Sequence, residues 1–305
     1  MKLTRRQVMQ LGLGAGTSLL LPEVSLARQS APLIQRPIPS TGERLPIVGI
    51  GTARRYNVTT AADKGELKEV IRLFSELGGK VIDTAPSYGA AENVVGEIVD
   101  DLNIRDALFL GTKVRKEGRS AGLAEMETSR ERLRTDMIDL VAVHNLVDTD
   151  TQLATLRERK AEGLIRYVGM TTSSNRQHDN FADKISREQI DIIQVNYSLD
   201  RRAVEDRILP VAADHGLAVW VNLPYGRGRL FDAVGDRPLP DWAVEFDCES
   251  WGQFFLKYIL GHPAVSCVIP GTARVRYVAD NLGAAQGRLP DERQRQRMVR
   301  FLESL

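Results

Sequence analysis

Ile138-Asp139-Leu140-Val141-Ala142-Val143-His144 is an apolar run that closes on an imidazole. Its β-branched and aliphatic content reads as a β-strand. Working outward, the pattern recurs: Val81-Ile82 leads into Asp83, with Tyr88 in the loop beyond, and Leu108-Phe109-Leu110 leads towards Lys113. Further strand-like segments are Ile47-Val48-Gly49-Ile50, Tyr167-Val168-Gly169-Met170, Ile192-Ile193-Gln194-Val195, Ala218-Val219-Trp220-Val221 and Cys267-Val268-Ile269. Amphipathic stretches alternate with them, among them 64–77, 123–133, 153–162, 204–215, 251–260 and 277–285. The units repeat about every 30 residues, as ~250 residues shared among eight βα units require, so the expected fold is a single-domain α/β protein, a (β/α)8 TIM barrel. The C-terminal strand ends of such a barrel converge on one face, where Asp83, Tyr88, Lys113 and His144 become neighbours.

The chain has 305 residues, 43% of them hydrophobic, and a net charge of +1. That is enough to bury a large core, and it offers no single-sign field for nucleic acid or an anionic membrane. Thr4-Arg5-Arg6-Gln7-Val8-Met9, the apolar stretch Leu11 to Leu21 and Ser25-Leu26-Ala27 read as a twin-arginine (Tat) signal peptide over 1–27, cleaved after Ala27. The apolar stretch is shorter than the roughly 20 residues that span a bilayer. No membrane span is expected; the Tat translocon is an expected partner and the periplasm, or export, the expected destination. Residues 28–44 are read as an N-terminal extension, a hairpin over the barrel bottom, and 45–305 as the barrel itself. The Gly- and Pro-containing segment Pro224 to Glu249 is expected to be an extended loop after strand seven, and 291–305 a charged terminal helix. Cys248 and Cys267 are expected to be free thiols, Cys267 as a small core residue in its apolar run.

A phenol, an ammonium, a carboxylate and an imidazole gathered at strand ends suit proton transfer. Tyr88, with an ordinary pKa near 10, holds its proton at neutral pH and can give it to a developing alkoxide. Lys113 is the cation that would lower the phenol's pKa, and Asp83 the anion that would keep Lys113 charged and oriented. His144 can hydrogen-bond a substrate carbonyl oxygen. Protonating oxygen while hydride reaches carbon is carbonyl reduction. Taken singly, these residues have plainer readings: Asp83 as a turn or cap, Lys113 as a solvated surface lysine, His144 as a core histidine. Lys113 could also be read as a Schiff-base nucleophile.

The ordered set resembles the aldo-keto reductase family, in particular an exported bacterial branch suggested by the signal and by 241–248. Val81-Ile82-Asp83-Thr84-Ala85-Pro86-Ser87-Tyr88-Gly89 with Glu92-Asn93 and Gly96 is similar to the family's strand-two motif, Thr112-Lys113 to its strand-three lysine, and Asp139-Leu140 with His144 to its strand-four histidine. The resemblance covers the chain after the signal. It implies that Asp83, Tyr88, Lys113 and His144 are a catalytic tetrad, and that the cofactor is NADP(H), with NAD(H) as the alternative. Thr171, Gln194, Asn222, Pro270, Gly271, Thr272, Arg274 and Asn281 are the implied cofactor contacts, Arg274 or Arg276 meeting a 2′-phosphate.

The chain departs from the family pattern at four places. Thr171-Thr172 replaces the usual Ser-Asn after strand five, Asn222 stands where many members carry an aromatic, Gly271 takes the place of a lysine, and Tyr277 that of an arginine. These departures leave room for a second reading, a catalytically weak nucleotide-binding module on the same scaffold. Substrate contacts are expected from Tyr56, Tyr225 and Trp251, with Arg54, Leu146 and Arg227, a set suited to a small-molecule carbonyl substrate. No metal site is assigned.

Overall fold

Side-chain alternation along the strands sorts the core into two compartments. The computed structural model describes residues 32–305, so the expected signal at 1–27 lies outside the described residues. A short antiparallel hairpin, β1 (Gln35–Pro37) and β2 (Arg44–Pro46), precedes eight parallel strands: β3 (Ile50–Gly51), β4 (Val81–Asp83), β5 (Phe109–Val114), β6 (Ile138–His144), β7 (Ile165–Thr172), β8 (Ile192–Asn196), β9 (Ala218–Asn222) and β10 (Cys267–Val268). The strands lie in sequence order. Parallel bridges Val48–Val268 and Gly51–Gly271 join first to last and close a (β/α)8 barrel.

One strand phase, which includes Ile82, Leu110, Val141, Val168, Ile193, Val219 and Val268, packs with the surrounding helices in the larger cluster. The other, with Val81, Phe109, Leu140, Tyr167, Ile192, Ala218, Trp220, Cys267 and Ile269, fills the barrel interior. Ile38 and Leu45 of the hairpin complete that inner cluster. Gly111 leaves the space that Trp220 occupies: a Cβ there would stand 3.4 Å from the indole. Polar contacts seat the hairpin. Thr41 Oγ1 lies 2.9 Å from Tyr167 Oη, Glu43 accepts from Arg166 at 2.6 Å, and the Arg36 guanidinium donates to the carbonyl of Leu260 at 2.7 Å.

Helices follow the strands with local caps where the chain supplies them. Thr60 caps Ala61–Glu76, Ser250 caps Trp251–Leu260, and Asp291 with Gln294 forms a reciprocal capping box on Glu292–Glu303. Two expectations need correction. The third strand runs through Val114, so Lys113 lies inside it and not beyond its end. The segment after β9 is not an extended loop: it folds into a helix, Arg229–Val234, flanked by 3-10 turns at Gly226–Gly228 and Asp241–Phe246. Among the described residues no helix is long and apolar enough to cross a membrane.

Candidate active site

The inner strand phase turns from apolar to polar as it climbs. Two residues above Val81 comes Asp83; Phe109 gives way to Gly111 and Lys113, Leu140 to Ala142 and His144, Ile192 to Gln194, and Trp220 to Asn222. Period-two geometry therefore carries these side chains to the C-terminal mouth around the inside of the barrel.

Lys113 and Asp83 are buried there as an ion pair. Lys113 Nζ donates to Asp83 Oδ1 at 2.8 Å, to Oδ2 at 2.7 Å and to the Thr84 carbonyl at 2.8 Å, and it shares a side-chain hydrogen bond with Tyr88. Gln194 Nε2 donates to Asp83 Oδ1 at 2.6 Å, steadying the carboxylate from the opposite wall. The Tyr88 ring sits with its centroid 5.2 Å from Lys113 Nζ and meets the His144 ring edge-on at 6.2 Å. Tyr88 ends the 3-10 turn Pro86–Tyr88, and the following Gly89 has φ +66°; a Cβ there would collide with Asn57, whose Oδ1 accepts from Ala90 N at 2.9 Å. Glu92, fully buried, has no place in the cleft. It accepts from Thr112 Oγ1 at 2.7 Å and so ties the helix Ala91–Leu102 to the strand that carries Lys113.

Burial acts against the charge of Lys113, but Asp83 and Tyr88 outweigh it and the lysine pKa is raised. Tyr88 is raised as well: burial pushes it up more strongly than Lys113 pulls it down. The sequence-based expectation of a lowered phenol is thereby corrected, and Tyr88 is firmly protonated near neutrality. Burial, then the charges of Lys113 and Arg115, push His144 down to about 3, leaving a neutral imidazole. A raised pKa and three hydrogen bonds keep Lys113 an ammonium, which removes the Schiff-base reading.

The four residues open onto a cleft of about 1050 Å³ that reaches from Tyr88 and His144 to Gly271, Tyr277 and Asn281. Thr171, Gln194, Asn222 and Tyr225 line it too. Tyr225 donates to Asn281 Oδ1 at 2.6 Å, and Asn281 Nδ2 to the buried Thr272 Oγ1 at 2.8 Å, so Thr272 supports the wall without lining it. Pro270 serves closure, its carbonyl accepting from Gly51 N at 2.9 Å. Arg274 is ion-paired with Glu66 away from the cleft lining, while Arg276 packs on Tyr277, 4.7 Å from its centroid. Three expected substrate contacts fail; Leu146 packs against the core outside the cleft lining. Tyr56 is fully buried with its hydroxyl donating to the Thr272 carbonyl at 3.0 Å, and Trp251 stacks on Phe255 and Phe301 with its indole N–H on the Arg237 carbonyl. The spacing Trp251, Phe254, Phe255, Tyr258 is a helical apolar stripe and marks Trp251 as packing. Sequence reasoning missed Arg115, Asn145, Tyr277 and Asp280 in the lining. Arg115 was within reach, since it follows directly on the strand that carries Lys113.

Three buried polar atoms on cleft-lining residues have no hydrogen-bond partner: His144 Nδ1, Gln194 Oε1 and Asn222 Oδ1. Buried polar groups are normally satisfied, and two amide oxygens left open beside an extended cleft fit a ligand that brings amide donors, as a nicotinamide carboxamide does. Cys248 and Cys267 are both free and buried.

A closed (β/α)8 barrel with a buried Asp–Lys pair, a protonated phenol and a neutral imidazole at its C-terminal mouth defines a class of barrel oxidoreductases. The profile of the aldo/keto reductase family matches residues 47–297, and the chain belongs to that family. It is 31% identical to aldo-keto reductase YhdN of Bacillus subtilis over 209 residues, a match spanning 63% of this chain and 62% of that protein. Methylglyoxal reductase YeaE of Escherichia coli is 29% identical over 244 residues, covering 78% of this chain and 84% of the other. An aldo/keto reductase from Klebsiella pneumoniae, solved with NADP and acetate, superposes with a TM-score of 0.73 at 26% identity over 86% of this chain and 93% of that one.

Proposed function

We propose that the protein reduces an aldehyde or ketone to an alcohol, taking hydride from a nicotinamide nucleotide and the proton from Tyr88. The observation that carries this reading is the buried Asp83–Lys113 pair beside a protonated Tyr88 and a neutral His144. NAD(P)H, when bound, supplies the hydride that no side chain can give. His144, being neutral, keeps one ring N–H to donate to the carbonyl oxygen and fix its angle. Tyr88 delivers its proton to that oxygen as negative charge builds, and the Lys113 ammonium stabilises the phenolate left behind. Asp83 holds Lys113 charged and aimed. Gln194 and Asn222 would hold the carboxamide, and Thr171, Gly271 and Asn281 the rest of the nucleotide. NADP(H) is the proposed form. The NADP complex of the K. pneumoniae relative supports it, and Arg276, beside the cleft-lining Tyr277, is the guanidinium available for a 2′-phosphate now that Arg274 is engaged by Glu66.

The test is NADPH and NADH oxidation against a panel of aldehydes and ketones, with Tyr88→Phe as control. Absence of turnover together with a nucleotide-induced thermal shift would replace this reading with that of a weak nucleotide-binding module. We further propose that residues 1–27 direct export through the Tat route with the nucleotide already bound. Cell fractionation of the Arg5→Lys, Arg6→Lys double variant tests the route, and mass spectrometry of periplasmic protein tests the cargo; protein found there without nucleotide sinks the second part.

A further inference from the structure

We propose that the substrate is a carbonyl compound bearing a carboxylate or equivalent anion, received by Arg115 at the mouth of the cleft; this rests on the reductase reading above. The inward phase of β5 runs Phe109, Gly111, Lys113 and the strand ends at Val114; Arg115 is the exposed residue directly after it and lines the cleft. The β5–β6 register pairs Lys113 with Ala142 and Val114 with Val143, so its continuation sets Arg115 level with His144, the residue that would hold the carbonyl oxygen. Arg115's charge is felt there: it contributes to keeping the imidazole neutral.

Arg115 is anchored but uncommitted. Its backbone N–H donates to Glu125 Oε2 at 2.6 Å, whereas its guanidinium has no hydrogen bond or ion pair among the described residues. Many surface arginines, such as Arg72, Arg119 and Arg288, are paired with a carboxylate, but others among the described residues are not, and what sets Arg115 apart is its place in the cleft lining. The cleft as a whole is skewed the same way. Arg54, Arg55, Lys113, Arg115 and Arg227 face only Asp83 and Asp280, and Asp83 is neutralised by Lys113, in a chain whose net charge is +1. Such an excess in a concave site favours an anion. Arg55 belongs to the other end, since a Cβ on Gly271 would stand 3.7 Å from its Cγ, beside the segment proposed for the nucleotide. Arg115 is therefore free to meet the substrate, and its planar fork matches a carboxylate.

The experiment uses the full chain with NADPH and a matched pair, 4-carboxybenzaldehyde and methyl 4-formylbenzoate, whose reacting groups are alike. The carboxylate should be preferred in kcat/KM, and Arg115→Glu should lower the carboxylate-to-ester ratio by at least about tenfold, through KM, with Arg115→Lys and Arg115→Gln intermediate. A ratio unmoved by Arg115→Glu overturns the inference. So does a loss of NADPH affinity as large as the loss for the carboxylate, which would assign the guanidinium to nucleotide phosphate. If neither aldehyde is turned over, the reductase reading fails separately, and calorimetry judges the anion site. Benzoate binding that benzamide does not match and that Arg115→Glu abolishes upholds the site, whereas equal binding of the two overturns it. Circular dichroism confirms that each variant is folded.

Discussion

The two ends of this barrel hold similar chemistry to opposite ends. At the bottom, buried Asp139 accepts from Leu110 N at 2.8 Å, Arg105 at 2.9 Å and Arg166 at 2.7 Å, and Glu43 and Tyr167 extend the network into the hairpin. At the top, buried Asp83 is held just as tightly by Lys113 and Gln194, yet the neighbouring His144, Gln194 and Asn222 each leave a buried polar atom without a partner. A satisfied network stabilises a fold. One left incomplete beside a cleft waits for a ligand to complete it.

Removing top residues should therefore cost activity and removing bottom residues should cost stability. Tyr88→Phe should lower kcat/KM for carbonyl reduction by about a thousandfold, roughly 4 kcal/mol of barrier, while leaving the melting temperature nearly unmoved; a comparable fall in both would erase the distinction. Asp139→Ala strips three donors of their acceptor and should cost about 3 kcal/mol in urea unfolding, with kcat/KM of the folded protein within about twofold of the parent. His144 gives the top a stability signature in acid. Its folded pKa of about 3 lies below the ordinary 6.5, so the unfolded chain takes up a proton first as pH falls. The stability is present above pH 6.5 and lost below it, by about 2 kcal/mol at pH 5, and His144→Gln should abolish that portion of the acid sensitivity. Glu43→Gln, at the partly exposed hairpin, should cost only about 1 kcal/mol. Across all of these, kcat/KM for reduction should stay flat from about pH 6 to about pH 9, because His144 titrates far below that window and Tyr88 above it; a limb near neutrality would contradict both directions.

Much of the top was legible in the sequence because strand ends and period-two alternation are local facts. Val81-Ile82-Asp83 and the run ending at His144 needed only a barrel to bring them together. What sequence could not show was side-chain direction outside strands. Tyr56 is an aromatic near the site in sequence that is buried in the core, its hydroxyl donating to the carbonyl of Thr272 more than two hundred residues along the chain; Trp251 turns inward as well, and there only the contact with Phe301 is remote in sequence. Nor could it show the outcome of competing influences on Tyr88, where a neighbouring cation is evident from sequence but the depth of burial that outweighs it is not. The helix at Arg229–Val234 was hidden by the Gly and Pro residues around it, which read locally as loop.

The bridges Val48–Val268 and Gly51–Gly271 make the last strand to leave the ribosome the partner of the first. Until then the growing chain carries an unpaired strand edge, and the slow, long-range step of folding is postponed until β10 has emerged. Gly51 and Gly271 also stand in the cleft wall, so no fragment short of the full barrel contains the whole cleft. Closure of the barrel and completion of the cleft wall are therefore one event.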